Sequence, residues 1–268
     1  MDAAERDVAE IGGDPDAGGN DGSADGVQVL PDSGVVGSYG DDFPGVERGL
    51  WLATLGAGLV MLFAAIANAP GLPLVAFGAC VLLAGAALVL IWSSRVRNVR
   101  ERARFVDRLE LADDAYLLDV CCGRGITLVE AARRVPDGLA VGVDPWRGSD
   151  EVLTRPEDAL GNAQLEGVDD RSVVATADAA ALPFPDEMFD GVSCNRRLGR
   201  FDDTARLAVI RELARVLIPG GRLVIFETRR TRRIAIALRS VDLTEVARSR
   251  RVWRVLPPSR YLTATKPT

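Results

Sequence analysis

From residue 113 onward, short apolar runs alternate with amphipathic stretches, and this alternation constrains the fold more than any other feature. Tyr116–Val120 reads as a strand, Ile126–Arg134 as a helix closed by Pro136-Asp137-Gly138, and Leu139–Val143 as a second strand. Thr154 is placed to cap a helix running to Glu166, with Pro156 in its first turn and Gly167 past its end. Ser172–Ala177 and Phe189–Cys194 follow as strands three and four. Asp203 is placed to cap a helix through Leu217, with Leu207, Ile210, Leu213 and Leu217 on one face. Pro219-Gly220-Gly221 ends that helix, and Arg222–Glu227 is a fifth strand. A helix over 232–240 and strands over 244–255 and 260–266 complete the pattern. Repeated β-α alternation predicts an α/β, Rossmann-like, doubly wound parallel sheet whose ligands lie at the carboxyl ends of its strands.

The segment before this region has a different chemistry. Residues 49–94 carry no charge, and Asn68-Ala69-Pro70-Gly71 divides them. Each half is about the 20 residues that a helix needs to cross a bilayer core. Trp51 and Trp92 mark the outer ends, as interfacial aromatics do. Gly56, Gly58, Gly78, Gly85, Ala84, Ala86 and Ala87 suit close helix packing. The expectation is a two-helix transmembrane hairpin. Arg95, Arg97, Arg100, Arg102 and Arg104 follow it, opposed only by Glu101. By the positive-inside rule they place the C-terminal side, and with it the N-terminal tail, in the cytoplasm of a two-pass cell-membrane protein. Residues 1–48 hold twelve acidic side chains against Arg6 and Arg48. They are Asp- and Gly-rich and read as a disordered acidic tail. The domain reading is therefore tail 1–48, hairpin 49–94, basic connector 95–112 and α/β domain 113–268.

Composition narrows the chemistry. The chain has no histidine, which excludes a Ser-His-Asp triad, a histidine base and every histidine metal site. Four cysteines without a C-x-x-C give neither a disulfide framework nor a zinc ribbon, and no metal is expected. Outside the tail, 30 basic residues face 26 acidic ones, which is no strong nucleic-acid footprint.

The first strand runs into LLDVCCGRG (117–125), where Gly123 and Gly125 permit a tight turn and close approach by a ligand. Asp119 ends the first strand and Asp144 the second, in AVGVDPW (140–146). An acid at the second strand end suits ribose hydroxyls. Asp119 discriminates between ligands: it would repel a pyrophosphate but attract a sulfonium and an ammonium. Residues 121–126 also fail the G-x-G-x-x-G dinucleotide spacing.

Together with ADAAALPFPDEMFDGVSC (177–194) and RELARVLIPGGRLVIFE (211–227), these segments resemble the ordered motifs of class I S-adenosylmethionine-dependent methyltransferases. The ubiquinone/menaquinone-biosynthesis-like branch, methyltransferase type 11, is the nearest in pattern, and the resemblance covers about 113–268. It implies S-adenosylmethionine as cofactor, with Asp119, Cys121, Gly123 and Gly125 at its methionine end and Asp144 on its ribose. Trp146 packs on the adenine or in the core. Asp178 and Ala179 meet the adenine edge, although Asp178 also suits a plain turn. Cys194 stands where cofactor and substrate meet.

After the fourth strand the chain departs from that pattern, with CNRRLGRFDD (194–203) in place of an apolar, often histidine-bearing stretch. Asn195, Arg196, Arg197 and Arg200 are the candidate substrate-binding residues, for a phosphate or carboxylate; a solvated loop and a decayed acceptor pocket are the other readings. Carboxylates, Cys194 and Tyr261 are the remaining candidates for a base. Ten arginines between 229 and 260, against Asp242 and Glu245, make a basic C-terminal patch. The resulting expectation is a membrane-anchored methyltransferase acting on a small-molecule or lipid acceptor. A degenerate cofactor-binding protein and a nucleotide-dependent oxidoreductase are the alternatives.

Overall fold

The computed structural model describes residue 49 and residues 51–60, 72–92, 98–146, 154–255 and 257–268. The acidic tail, the hairpin turn at 68–71, Arg95 and Arg97 lie outside the described residues. Two helices come first, α1 (51–60) and α2 (Leu72–Trp92), then α3 (Asn98–Asp107). The α/β part comprises β1 (Tyr116–Val120), α4 (Ile126–Arg134), β2 (Leu139–Asp144), α5 (Pro156–Leu165), β3 (Ser172–Thr176) and β4 (Phe189–Asn195). It continues with α6 (Asp203–Val216), β5 (Leu217–Glu227), α7 (Thr231–Arg239), β6 (Thr244–Arg248) and β7 (Arg260–Thr265).

The seven strands form one sheet in the order β3-β2-β1-β4-β5-β7-β6. The first five are parallel, as the alternation predicts. The sheet is mixed rather than wholly parallel, because β7 is antiparallel to both β5 and β6. The physical reason is local: β6 and β7 are joined without a crossover helix, so they can pair only antiparallel, and β7 fills the gap beside β5.

Alternate residues feed two cores. Leu118, Val120, Val141, Leu223 and Ile225 pack with Ile210 and Leu213 of α6 and Leu238 of α7. Leu117, Ala140, Val224 and Phe226 pack on the other side with Phe105, Leu128 and Ala163. Phe105 is in α3, so the stretch read as a basic connector is integral to the folded domain. Arg102 of α3, read as a topogenic charge, is instead buried between Glu130 at 3.1 Å and Glu166 at 3.7 Å. Arg104 pairs with Glu101 at 3.0 Å.

Three boundaries differ from the sequence reading. Helix α5 is capped at Arg155, not Thr154, with the Asp158 carboxylate accepting from the Arg155 N–H at 3.0 Å. Helix α6 is capped by Asp202, not Asp203, through a 2.8 Å bond from the Ala205 N–H. Pro219-Gly220-Gly221 does not precede β5 but bulges within it, where pairing with β4 shifts between Phe189 and Gly191. The Gly220 N–H donates to the Lys266 carbonyl at 2.9 Å, which keeps the bulge on the sheet.

Helices α1 and α2 touch through Cys80, whose thiol donates to the Thr54 carbonyl at 3.6 Å. Ala87, two turns on, is buried, while Val75, Phe77, Val81, Leu82, Leu88 and Val89 are exposed. Among the described residues, a Cβ at Gly56, Gly58, Gly78 or Gly85 would meet nothing within 4 Å. The α2 side chains described are 75 and 77–89. Among the described residues no helix is long and apolar enough to cross a membrane.

Candidate active site

The β1–α4 turn is built on left-handed backbone. Cys121, Gly123 and Gly125 have φ of 60°, 54° and 76°. At Gly125 the close packing of α5 adds a second reason for glycine, since a Cβ would lie 3.3 Å from the Ala159 Cβ. At Gly123 a Cβ would meet nothing within 4 Å, so the space over its backbone is open.

Asp144, at the end of β2, latches this turn. Its Oδ2 accepts from the Gly123 N–H at 3.2 Å and its Oδ1 from the Trp146 N–H at 3.0 Å. Each oxygen keeps a second lone pair for a ligand hydroxyl. The buried Trp146 Nε1 has no hydrogen-bond partner in the described structure, and residues 147–153 beyond it lie outside the described residues.

Asp119 sits at the same edge, 1% exposed. Adjacent pairing of β1 and β4 sets it opposite Ser193, whose hydroxyl donates to its Oδ1 at 2.6 Å. Burial, reinforced by the nearby Asp144 charge, pushes its carboxyl up to about 7, against the lowering pull of the Ser193 and Leu128 donors. A cationic ligand favours the ionised form. The sign follows: below pH 7 free Asp119 holds a proton that a cation must displace. S-adenosylmethionine affinity is therefore expected to fall up to tenfold per pH unit below about 7 and to level off above it. Asp119→Asn should bind more weakly and lose that slope; calorimetry between pH 5.5 and 8.5 checks both.

Two of the cysteines, Cys122 and Cys194, are buried where a thiolate is disfavoured. Cys194 is buried at the end of β4, and its thiol is pushed well up by the adjoining Cys121 thiol and by burial. Burial does the same to Cys122. Burial and the Glu101 carboxylate, which accepts the Tyr261 hydroxyl at 2.7 Å, likewise push Tyr261 above the tyrosine range.

Ala179 is a core residue. Asp178 is exposed, and its Oδ1 accepts from the Ala180 N–H at 2.9 Å, the geometry of a turn. Asn195 ends β4 with its buried Oδ1 lacking a protein partner in the described structure. Arg196 has φ 55° and lies with its guanidinium carbon 5.4 Å from the Phe226 ring centroid. Arg197 is half-buried and Arg200 exposed.

Two residues that sequence reasoning passed over hold this β4–α6 loop. Buried Glu227 accepts from the N–H groups of Gly199 at 2.8 Å and Thr228 at 2.7 Å. Arg206, buried in α6, donates to the carbonyls of Leu198 and Phe201. The loop is thus tied at both ends by buried charges.

This edge fits an adenosyl-sulfonium compound: an open glycine backbone, a carboxylate for the cationic end and a second carboxylate for hydroxyls. Residues 117–221 match the family described as "Methyltransferase domain". This segment is similar to methyltransferase domains. The chain is 35% identical over 124 residues to a demethylmenaquinone methyltransferase of Symbiobacterium thermophilum, covering 46% of each chain. It is 38% identical over 139 residues to the 27-O-demethylrifamycin SV methyltransferase of Amycolatopsis mediterranei, covering 50% of this chain and 48% of that one. It spans about half the length of the curated relatives it matches. Among solved structures, the fold resembles that of the geranyl diphosphate C-methyltransferase of Streptomyces coelicolor with S-adenosyl-L-homocysteine. That likeness has a TM-score of 0.52 at 16% identity, covering 63% of this chain and 79% of that one.

Proposed function

We propose that the protein is a methyltransferase, held at the cell membrane, that transfers a methyl group from S-adenosylmethionine to a small lipophilic acceptor. The observation that carries the transfer reading is the buried Asp119 carboxylate beside the open backbone of Gly123. Bound there, S-adenosylmethionine supplies an electrophilic methyl group. The chain's own residues bind and orient. Asp119 holds the cationic end and Asp144 the ribose, while Trp146, Asp178 and Ala179 border the adenine. Cys121 and Cys194 wall the junction with the acceptor. Asn195 offers a buried acceptor atom there, and Arg196, Arg197 and Arg200 stand on the pinned loop beside it.

With no histidine, and with the Cys194 thiol and the Tyr261 hydroxyl both pushed upward, carboxylates are the bases that remain, which suits an acceptor that needs no strong base. An activated ring carbon, a thiol or an amine meets that requirement, and demethylmenaquinone, named in a relative's activity, belongs to the first class. Membrane attachment is supported by the uncharged run 49–94 and by the exposed apolar arc of α2. The tail and catalytic domain would then share the cytoplasmic side.

The decisive experiment incubates the full chain in vesicles with methyl-labelled S-adenosylmethionine and either a lipid or an aqueous extract of host cells. Label in one lipid fraction is the expected result. Label only in the aqueous extract would overturn the lipophilic acceptor. Intact cofactor binding with no label anywhere would overturn turnover itself.

A further inference from the structure

Beyond their ladder, β6 and β7 continue as a strap. The Ser249 N–H donates to the Tyr261 carbonyl at 2.9 Å, and the Val252 N–H to the Ser259 carbonyl at 2.7 Å. Trp253 stands at its turn, 68% exposed, with the Arg251 guanidinium carbon 5.7 Å from its ring centroid. Arg260 is partly buried, and its pKa is lowered by burial and by Arg248, Arg251 and Arg232 around it. Arg232, Arg248, Arg250 and Arg251 are exposed. Of the neighbouring acids, Glu101 takes Arg254 at 3.3 Å, and Glu245 accepts from the Thr265 hydroxyl at 3.0 Å.

Register places this cluster. Arg260 pairs with Glu227 at the carboxyl end of β5, and Arg248 with Leu262. The arginines therefore lie at the carboxyl edge of the sheet, the edge that bears Asp119 and Asn195. The N-terminal chain reaches the same edge, because Glu101 of α3 contacts both Tyr261 and Arg254. Trp92 of α2 is six residues before Asn98, a reach of about 20 Å at most.

We propose that the 249–259 strap is a docking surface for an anionic phospholipid bilayer, with Trp253 in the interfacial layer and Arg232, Arg248 and Arg251 on lipid phosphates. Tryptophan favours that layer, and the arginine fork matches phosphate. Docked in this way, the strap turns the site edge toward the lipid that holds the acceptor. The proposal rests on the membrane attachment proposed above and is independent of methyl transfer.

The test reconstitutes the full chain into vesicles with brominated acyl chains, either of phosphatidylcholine or of phosphatidylcholine with phosphatidylglycerol. Subtracting the emission of Trp253→Phe isolates the Trp253 signal. Quenching of that signal in anionic vesicles, at least twofold stronger than in neutral ones, is expected. The triple variant Arg232→Gln, Arg248→Gln, Arg251→Gln should remove the difference, at about fivefold in partition per arginine. Vesicle flotation without Trp253 quenching overturns the docking alone, as does equal quenching in both lipids. Failure to float with either vesicle overturns the attachment as well. If the triple variant loses retention of duplex DNA while lipid quenching is unchanged, the surface belongs to nucleic acid and the proposal fails.

Discussion

Asp144→Ala is expected to weaken S-adenosylmethionine binding by about 100-fold, close to 3 kcal/mol. The carboxylate has two tasks. It accepts two backbone N–H bonds, at 3.2 and 3.0 Å, that hold the glycine turn and Trp146 in place. Charge-assisted bonds of this kind contribute about 1.5–3 kcal/mol each. It also offers the remaining lone pairs to the ribose. Asp144→Asn should fall between the two, because its NH2 would face one of those N–H donors. A second readout separates this role from general loosening. The Asp144 charge helps to raise the Asp119 carboxyl, so the pH midpoint for binding should move below 7 in Asp144→Ala. Titration calorimetry of the full chain measures both quantities. Unchanged affinity would remove Asp144 from the site.

Arg102→Ala is expected to destabilise the catalytic domain by about 3 kcal/mol, at the lower end of the range for breaking a buried ion pair. The side chains of Arg102, Glu130 and Glu166 are 3%, 7% and 0% exposed, so two carboxylates would lose a buried cation at once. Arg134, 2.9 Å from Glu130, and Arg133, which bonds Glu166, retain part of the compensation. Arg102→Lys should recover little, because a point ammonium does not match the fork between two acids. Combining Arg102→Met with Glu130→Gln should recover more. Urea unfolding at neutral pH provides the measurement, and a loss below about 1 kcal/mol would show that the pair is solvated. The same loss should free α3, and with it the link from the apolar helices to the sheet.

Much of the central fold is legible in the chain, because period and punctuation are local. The extents of β1 and α4 match the sequence reading residue for residue, since an apolar run, a glycine turn and Pro136-Asp137-Gly138 bound them. The carboxylates at the ends of β1 and β2 are legible for the same reason. The Pro219-Gly220-Gly221 bulge is not, because whether such a segment ends an element depends on the neighbouring strand and on Lys266. The Ser193–Asp119 bond is hidden as well: 74 residues separate the partners, and only the adjacency of β1 and β4 brings them together. Nothing local marks Glu227 or Arg206 as loop anchors, because a charge in sequence looks the same whether it ends in water or in a core.

The sequence alone determined a β-α alternation and a glycine turn edged by acids, because backbone geometry and strand period act over a few residues. Tertiary structure alone decided three things: that β7 enters antiparallel, that Arg102 is a buried tie rather than a surface charge, and that Cys194 is buried and the Tyr261 hydroxyl is bound to Glu101. Burial and strand adjacency arise only when distant segments meet. Together they set which charges are paired and which protons are held.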